Sequence, residues 1–215
     1  MKKLIFATFL IFTFICSSNG KLYAQTHSLE SVCKSLASKP NTTGDFTQTK
    51  IIQTNGRKLK SSGKYIISTL GIYWKTEKPF PSSLILTEDA MVQISANGTK
   101  SVMSGKDNQI FANISGTLSS VFSGNVDELK KNFECSFSED SNGGWKILLT
   151  PKDSTIAAVM KRLVLSGTYD STSGAAVLAS LEMAETSDNT ITYEFTNQKY
   201  PKELAADEKQ IFVIE

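Results

Sequence analysis

From Thr43 onward, apolar and polar residues alternate with a period of two. The runs TGDFTQTKII, SSGKYIIS, GIYWK, SSLILT, MVQIS and TKSVMS are strand-length and rich in β-branched and aromatic residues. The turn signals TNGR, TEKPFP, TED and ANG fall between them. Short strands joined by short turns predict an antiparallel meander, because parallel neighbours would need long crossovers. Ahead of this region the period is helical. Leu29, Val32, Cys33, Leu36 and Ala37 fall on one face, with Ser28 placed to cap the start and Pro40 beyond the end.

The middle of the chain changes pattern. In NQIFANISGTLSSVFSG, the residues Ile110, Ile114, Leu118, Val121 and Phe122 share a helical face, weakened by Gly116. NVDELKKNF predicts a second short helix. FECSFSE and WKILLTPK return to the strand pattern across an NGG turn. DSTIAAVMK predicts a helical turn capped by Asp153 or Ser154, and RLVLSGTY, AAVLASLEMAE, NTITYEFTN and the terminal KQIFVIE read as strands. About ten or eleven strands and two to four short helices make a mainly β chain, an antiparallel sheet with short α-helices packed onto it.

Within GIYWK, Ile72 and Trp74 share one face and Tyr73 points to the other. Pro79 and Pro81 cannot donate to a sheet ladder, so the segment between them leaves the sheet as a loop before Leu84 and Leu86 resume a shared face. The resulting hairpin sets Ile72, Trp74, Leu84 and Leu86 side by side. On residue pattern alone this face is either ordinary core or the wall of an opening.

The first segment bears on where the protein works. Lys2 and Lys3 precede an unbroken apolar stretch from Leu4 to Cys16, shorter than the roughly 20 residues of a membrane-spanning helix, and a small polar region ends in KLYAQ. This predicts a secretory signal over residues 1–24, cleaved after Ala24, and a single domain over residues 25–215. Cys16 leaves a rival open, acylation and retention as a lipid anchor, although FTFI before it lacks the usual small residue. Cleavage removes Lys2, Lys3 and Lys21, leaving 20 basic residues against 21 acidic ones, a formal charge of −1. Nucleic acid is therefore not an expected partner. Cys33 and Cys135 remain after cleavage, either as a bonded pair or as two separate buried thiols.

Candidate chemistry is sparse. His27 is the sole histidine and lies near the expected mature terminus, so a histidine-based metal site is not expected. Ser31 and Lys34 have the S-x-x-K spacing of some acyl-transfer enzymes, but the companion K-T-G is absent, KTE standing at Lys75. SGKY at Gly63 and SGKD at Gly105 lack the earlier glycine of a phosphate-cradling loop. Asp45, Glu77, Glu88 and Asp89 read as solvated turn charges. No catalytic residue, metal or cofactor is expected.

The ordered set DFTQTK, LKSSGKYIIS and GIYWKTEKPFPSSLILTEDAMVQI resembles the periplasmic outer-membrane lipoprotein carriers of the LolA-like family. The likeness continues more weakly through FSGNVDELKKNFECSF, WKILLTPK and LVLSG. It implies an incomplete, curved antiparallel β-barrel with helices forming a lid over an apolar cavity that shelters the acyl chains of a lipoprotein or another lipid. An inner-membrane donor, an outer-membrane acceptor and a monomeric carrier are implied with it. Carried over by position, Phe46 belongs to the first-strand pattern, Ile72 to a strand used in transfer, and Trp74 and Leu84 to the cavity lining. Leu86 shares the face of Leu84, and Met103, like Met91, Met160 and Met183, is suited to adapting to variable chains. One departure stands out: the arginine that latches the lid in enteric carriers has no counterpart, the corresponding position being about Ser68. The wording GIYWKTEKPFPS is closer to relatives placed in lipid or pigment biosynthesis. An envelope sensor or scaffold using the same fold for protein contacts, or a lipid-anchored acceptor if Cys16 is acylated, are the alternatives.

Overall fold

The computed structural model describes residues 27–104 and 119–214. The expected signal, its cleavage site and Cys16 lie outside the described residues, as do Ile110, Ile114 and Leu118 of the expected middle helix. In chain order the elements are α1 (Leu29–Ala37), β1 (Asn41–Ile52), β2 (Arg57–Ser68), β3 (Gly71–Lys78), β4 (Ser82–Leu86), β5 (Ala90–Ile94) and β6 (Lys100–Ser104). Residues 119–123 are helical (α2). They are followed by α3 (Val126–Asn132), β7 (Phe133–Glu139), β8 (Trp145–Pro151), α4 (Ser154–Ala157), β9 (Met160–Tyr169), β10 (Ala176–Glu185), β11 (Thr190–Lys199) and α5 (Ala206–Gln210).

All the strands form one antiparallel, 11-stranded curved sheet in the order β6-β5-β4-β3-β2-β1-β11-β10-β9-β8-β7, and it does not close into a barrel. Every neighbour is consecutive in sequence except β1 and β11, which pair in the middle with Phe46 opposite Phe195. The expected meander is thus two meanders joined at their outer strands.

The helices begin where the sequence places them. Ser28 accepts a hydrogen bond from the Ser31 amide, and the Ser31 hydroxyl accepts from the Ser28 amide, satisfying two donors that the first turn of α1 leaves free. Asp153 caps α4 by accepting from the amides of Thr155 and Ile156. One expected strand is absent: KQIFVIE gives the end of α5 and an irregular segment. Its apolar side chains are used without a ladder. Ile211, Phe212 and Ile214 pack with Leu204 on one face of the sheet against Ile66, Tyr73, Ile85, Val92 and Ile94.

The two faces separate by the period of two. Ile66, Tyr73, Ile85 and Val92 form this outer cluster. Their chain neighbours Tyr65, Ile67, Ile72, Leu86 and Met91 belong to the inner face, where α1, α2, α3 and α4 contribute Val32, Val121, Leu129 and Ile156. Over the β7–β10 half the inner core is dense: Trp145, Ile147, Leu149 and Leu165 are all but inaccessible to solvent. Gly167 makes room for Trp145, since a Cβ there would lie 2.3 Å from the indole. Cys33 and Cys135 are both free thiols, and burial, chiefly, pushes the Cys33 thiol up to about 11, so it stays protonated at neutral pH.

Two outcomes are expected from this packing. A Cβ on Gly63 would sit 1.8 Å from the Lys75 carbonyl oxygen, at a register shift between β2 and β3. Gly63→Ala is therefore expected to destabilise by about 2 to 3 kcal/mol in urea unfolding, with Ser61→Ala near neutral. In the native protein at pH 7, peptide-resolved thiol labelling is expected to modify half-buried Cys135 slowly and Cys33 only on unfolding. Rapid labelling of Cys33 would contradict the core described above.

Candidate functional site

The described helices pack chiefly against the β7–β10 half of the sheet, through α1 on β10, α3 on β7, and α4 on β8 and β9. Beside α1, at the end of the sheet that carries the β2–β3 and β4–β5 turns, a partly open cavity of about 1230 Å³ remains. This exceeds the roughly 300–1,000 Å³ that suffices for drug-sized ligands. Leu36 and Ala37 of α1, Phe122 of α2, Ile67 of β2, Ile72 of β3, Leu86 of β4 and Leu178 of β10 supply apolar wall, and Phe212 and Ile214 reach it from the C-terminal segment. That segment is fastened by buried Asn41, whose Nδ2 donates to the carbonyl oxygens of Pro201 and Lys202 at 3.1 and 3.0 Å. Ser68, Thr69, Thr87, Glu88 and Asp89 bring polar groups from the two turns.

The six residues expected to contact acyl chains, Phe46, Ile72, Trp74, Leu84, Leu86 and Met103, lie on one face. Ile72 pairs with Leu86, Leu86 with Met91, and Met91 with Met103, forming a row across four strands. Ile72 and Leu86 line the cavity. Two residues further along the same face, Trp74 is surrounded by Phe46, Tyr65, Tyr193 and Phe195, with ring centroids 5.5, 5.8, 5.1 and 5.9 Å away. Leu84, opposite Trp74, packs against the same core. Phe46, Trp74, Leu84 and Met103 are thus neighbours of the cavity wall and not part of it.

The Trp74 ring nitrogen is the buried side-chain polar atom among the described residues that finds no hydrogen-bond partner. An unsatisfied buried donor costs about 1–3 kcal/mol. The nearby Tyr193 hydroxyl is pushed up in pKa by burial, so the aromatic cluster holds no negative charge at neutral pH.

Several lining residues were not singled out from the sequence. Ile67 follows Tyr65 on the inner face and was accessible to the same alternation argument. Leu36 belongs to the predicted face of α1. Leu178, Tyr200 and Lys39 could not be found that way, because their relation to the cavity comes from contacts between segments distant in sequence. Ser68 lines the cavity and is engaged within its own turn: its hydroxyl accepts from the Leu70 amide at 3.0 Å. The end of α1 is instead tied to β10 at a single residue. Ser35 Oγ accepts from the Ala176 amide at 2.8 Å, and Lys39 Nζ donates to the Ala176 carbonyl at 2.7 Å.

Among solved structures, the chain is similar to a DUF1329 family protein from Desulfovibrio piger, with 12% identity over 82% of this chain and 92% of that one and a TM-score of 0.49. It is also similar to a LolA superfamily protein from Nitrosomonas europaea, with 8% identity over 88% of this chain and 99% of that one and a TM-score of 0.48. No curated protein sequence matches it. Residues 39–211 match the family model described as outer membrane lipoprotein carrier protein LolA, a span running from the cavity-lining Lys39 to the C-terminal segment, and the chain belongs to the LolA family.

Proposed function

We propose that this protein is a non-enzymatic carrier that shelters the acyl chains of a lipoprotein or another lipid during transfer toward the outer membrane. The observation that carries this reading is the 1230 Å³ cavity walled by Leu36, Ile67, Ile72, Leu86, Phe122 and Leu178 in a member of a carrier family. LolA family proteins work in the periplasm. The apolar segment from Leu4 to Cys16 supports export of this chain by a signal over residues 1–24, with 25–215 as the working domain and a donor and an acceptor at the two membranes. We take the carrier to act as a monomer, the residues that line the cavity all coming from one chain.

The energetics give such a cavity its purpose. Each methylene exposed to water costs about 0.8 kcal/mol, so a three-chain anchor of about 45 methylenes faces a barrier on the order of 36 kcal/mol if it crosses unaccompanied. An apolar wall cancels most of that cost and leaves a small difference, which makes loading reversible. An envelope scaffold working through protein contacts alone would have no need of an unfilled interior.

The purified protein is expected to take up a fluorescent fatty acid, and Leu86→Asn to weaken that uptake at least about tenfold. Leu165→Ala, in the filled half of the core, is expected to lower stability by about 2–5 kcal/mol with little change in affinity. Absence of uptake by the folded wild type would end the carrier reading. Partner capture from delipidated extract with equal efficiency would favour the scaffold.

A further inference from the structure

Lys39 follows α1 and precedes Pro40, where the chain turns into β1. It is the lysine that lines the cavity, and it is half-buried there beside Leu36, Leu178, Gln198 and Tyr200. Its ammonium group sits 4.1 Å from the centroid of the Tyr200 ring and spends one proton on the Ala176 carbonyl. It makes no ion pair among the described residues.

Of the surrounding described acceptors, the Ala176 carbonyl is the one that bonds the Lys39 ammonium. Asp170 is the carboxylate near enough to support the charge, but its Oδ1 accepts from the amides of Thr172 and Ser173 and from the Ser173 hydroxyl. Gln198 accepts from the Tyr200 hydroxyl at 2.7 Å and donates to the Leu178 carbonyl. Glu88 and Asp89 lie on the β4–β5 turn, five strand positions along the sheet from β10. Partial burial pulls the Lys39 amine below its usual range against an opposing pull from the Asp170 charge, so the cation is short of solvent and has no carboxylate in direct contact among the described residues.

We infer that Lys39 is the head-group contact of an acyl ligand: the chain lies along Leu36, Ile67, Ile72, Leu86 and Leu178, and an anionic end, carboxylate or phosphate, accepts from the two remaining Lys39 protons. A charge-assisted hydrogen bond in a partly dry site is stronger than its neutral equivalent. The cavity therefore selects singly anionic amphiphiles over uncharged ones of equal chain length. This deepens the carrier reading and rests on it, because it presumes that acyl chains enter.

The test is calorimetric titration of the protein, below the ligands' aggregation concentrations, with palmitate, a palmitoyl lysophosphatidylglycerol and uncharged monopalmitoylglycerol. The two anions are expected to bind about tenfold more tightly than the neutral lipid. Lys39→Gln should abolish that advantage, leaving the two anions no tighter than the neutral lipid, and Lys39→Arg should keep it. An advantage confined to palmitate or to the lysophospholipid supports the contact and identifies the head group as carboxylate or phosphate. Equal wild-type affinity for charged and neutral lipids overturns the inference, as does a folded Lys39→Gln that loses affinity for all three alike. Should Lys39→Gln fail to fold, the wild-type comparison decides. If none of the three binds, the carrier reading falls and this inference falls with it.

Discussion

An apolar sheet face has to be covered, and the cover here is uneven. On the β7–β10 half, Val32, Val121, Leu129 and Ile156 reach down from the helices onto Ile147, Leu149 and Leu165, and nothing of consequence is left exposed. On the β1–β4 side the same face continues through Ile67, Ile72 and Leu86, but the helices that fill the other half are anchored away from it. The sheet keeps its curvature without closing, so its own strands do not bring a second apolar wall into contact. Among the described residues, the helices fill one half of this face and leave a cavity beside α1 over the other.

The outer face removes the usual way of relieving that mismatch. Ile66, Tyr73, Ile85 and Val92 are held by Leu204, Ile211 and Phe212 of the C-terminal segment, and Asn41 fixes the entry to that segment. With one face of β2–β5 covered this way, the hairpins are buttressed from outside. Twisting inward to fill the cavity would expose that second cluster to water. The Gly71 backbone, where a Cβ would meet the Leu86 oxygen at 2.1 Å, holds β3 and β4 together at the cavity edge.

Much of this was legible in the sequence because strand faces obey a strict alternation. Ile72 and Trp74 against Tyr73, and Leu84 and Leu86 against Ile85, separate into inner and outer clusters as the period of two requires. Alternation identifies a face and does not say which stretch of it stays uncovered. That depends on where α1 docks, which Ala176 determines from 141 residues beyond Ser35 and 137 beyond Lys39. For the same reason Trp74, the most conspicuous residue of the run, proves to be the centre of an aromatic cluster, while Ile72 beside it lines the opening. The terminal IFVI misleads for a different reason. Its composition suits a strand, but it ends up covering a face with side chains and adds no rung to the ladder.

The tether of α1 bears on how such a cavity can be both closed and accessible. Two hydrogen bonds at Ala176 hold the C-terminal end of the helix, and together they contribute about 1 to 3 kcal/mol net. That equals the transfer free energy of roughly one to four methylenes. Under the proposed carrier role, a long acyl chain would bring several times that amount, set against the burial of Leu36 at the same end of the helix. The N-terminal end of the helix is held differently, by the Ser28–Ser31 cap and by the Glu30–Lys130 pair to α3 at 2.8 Å, beside the fully buried Val32 and Cys33. The helix is therefore held at its start by the cap and buried Val32 and Cys33, and at the end nearest the cavity by buried Leu36 and the two bonds to Ala176.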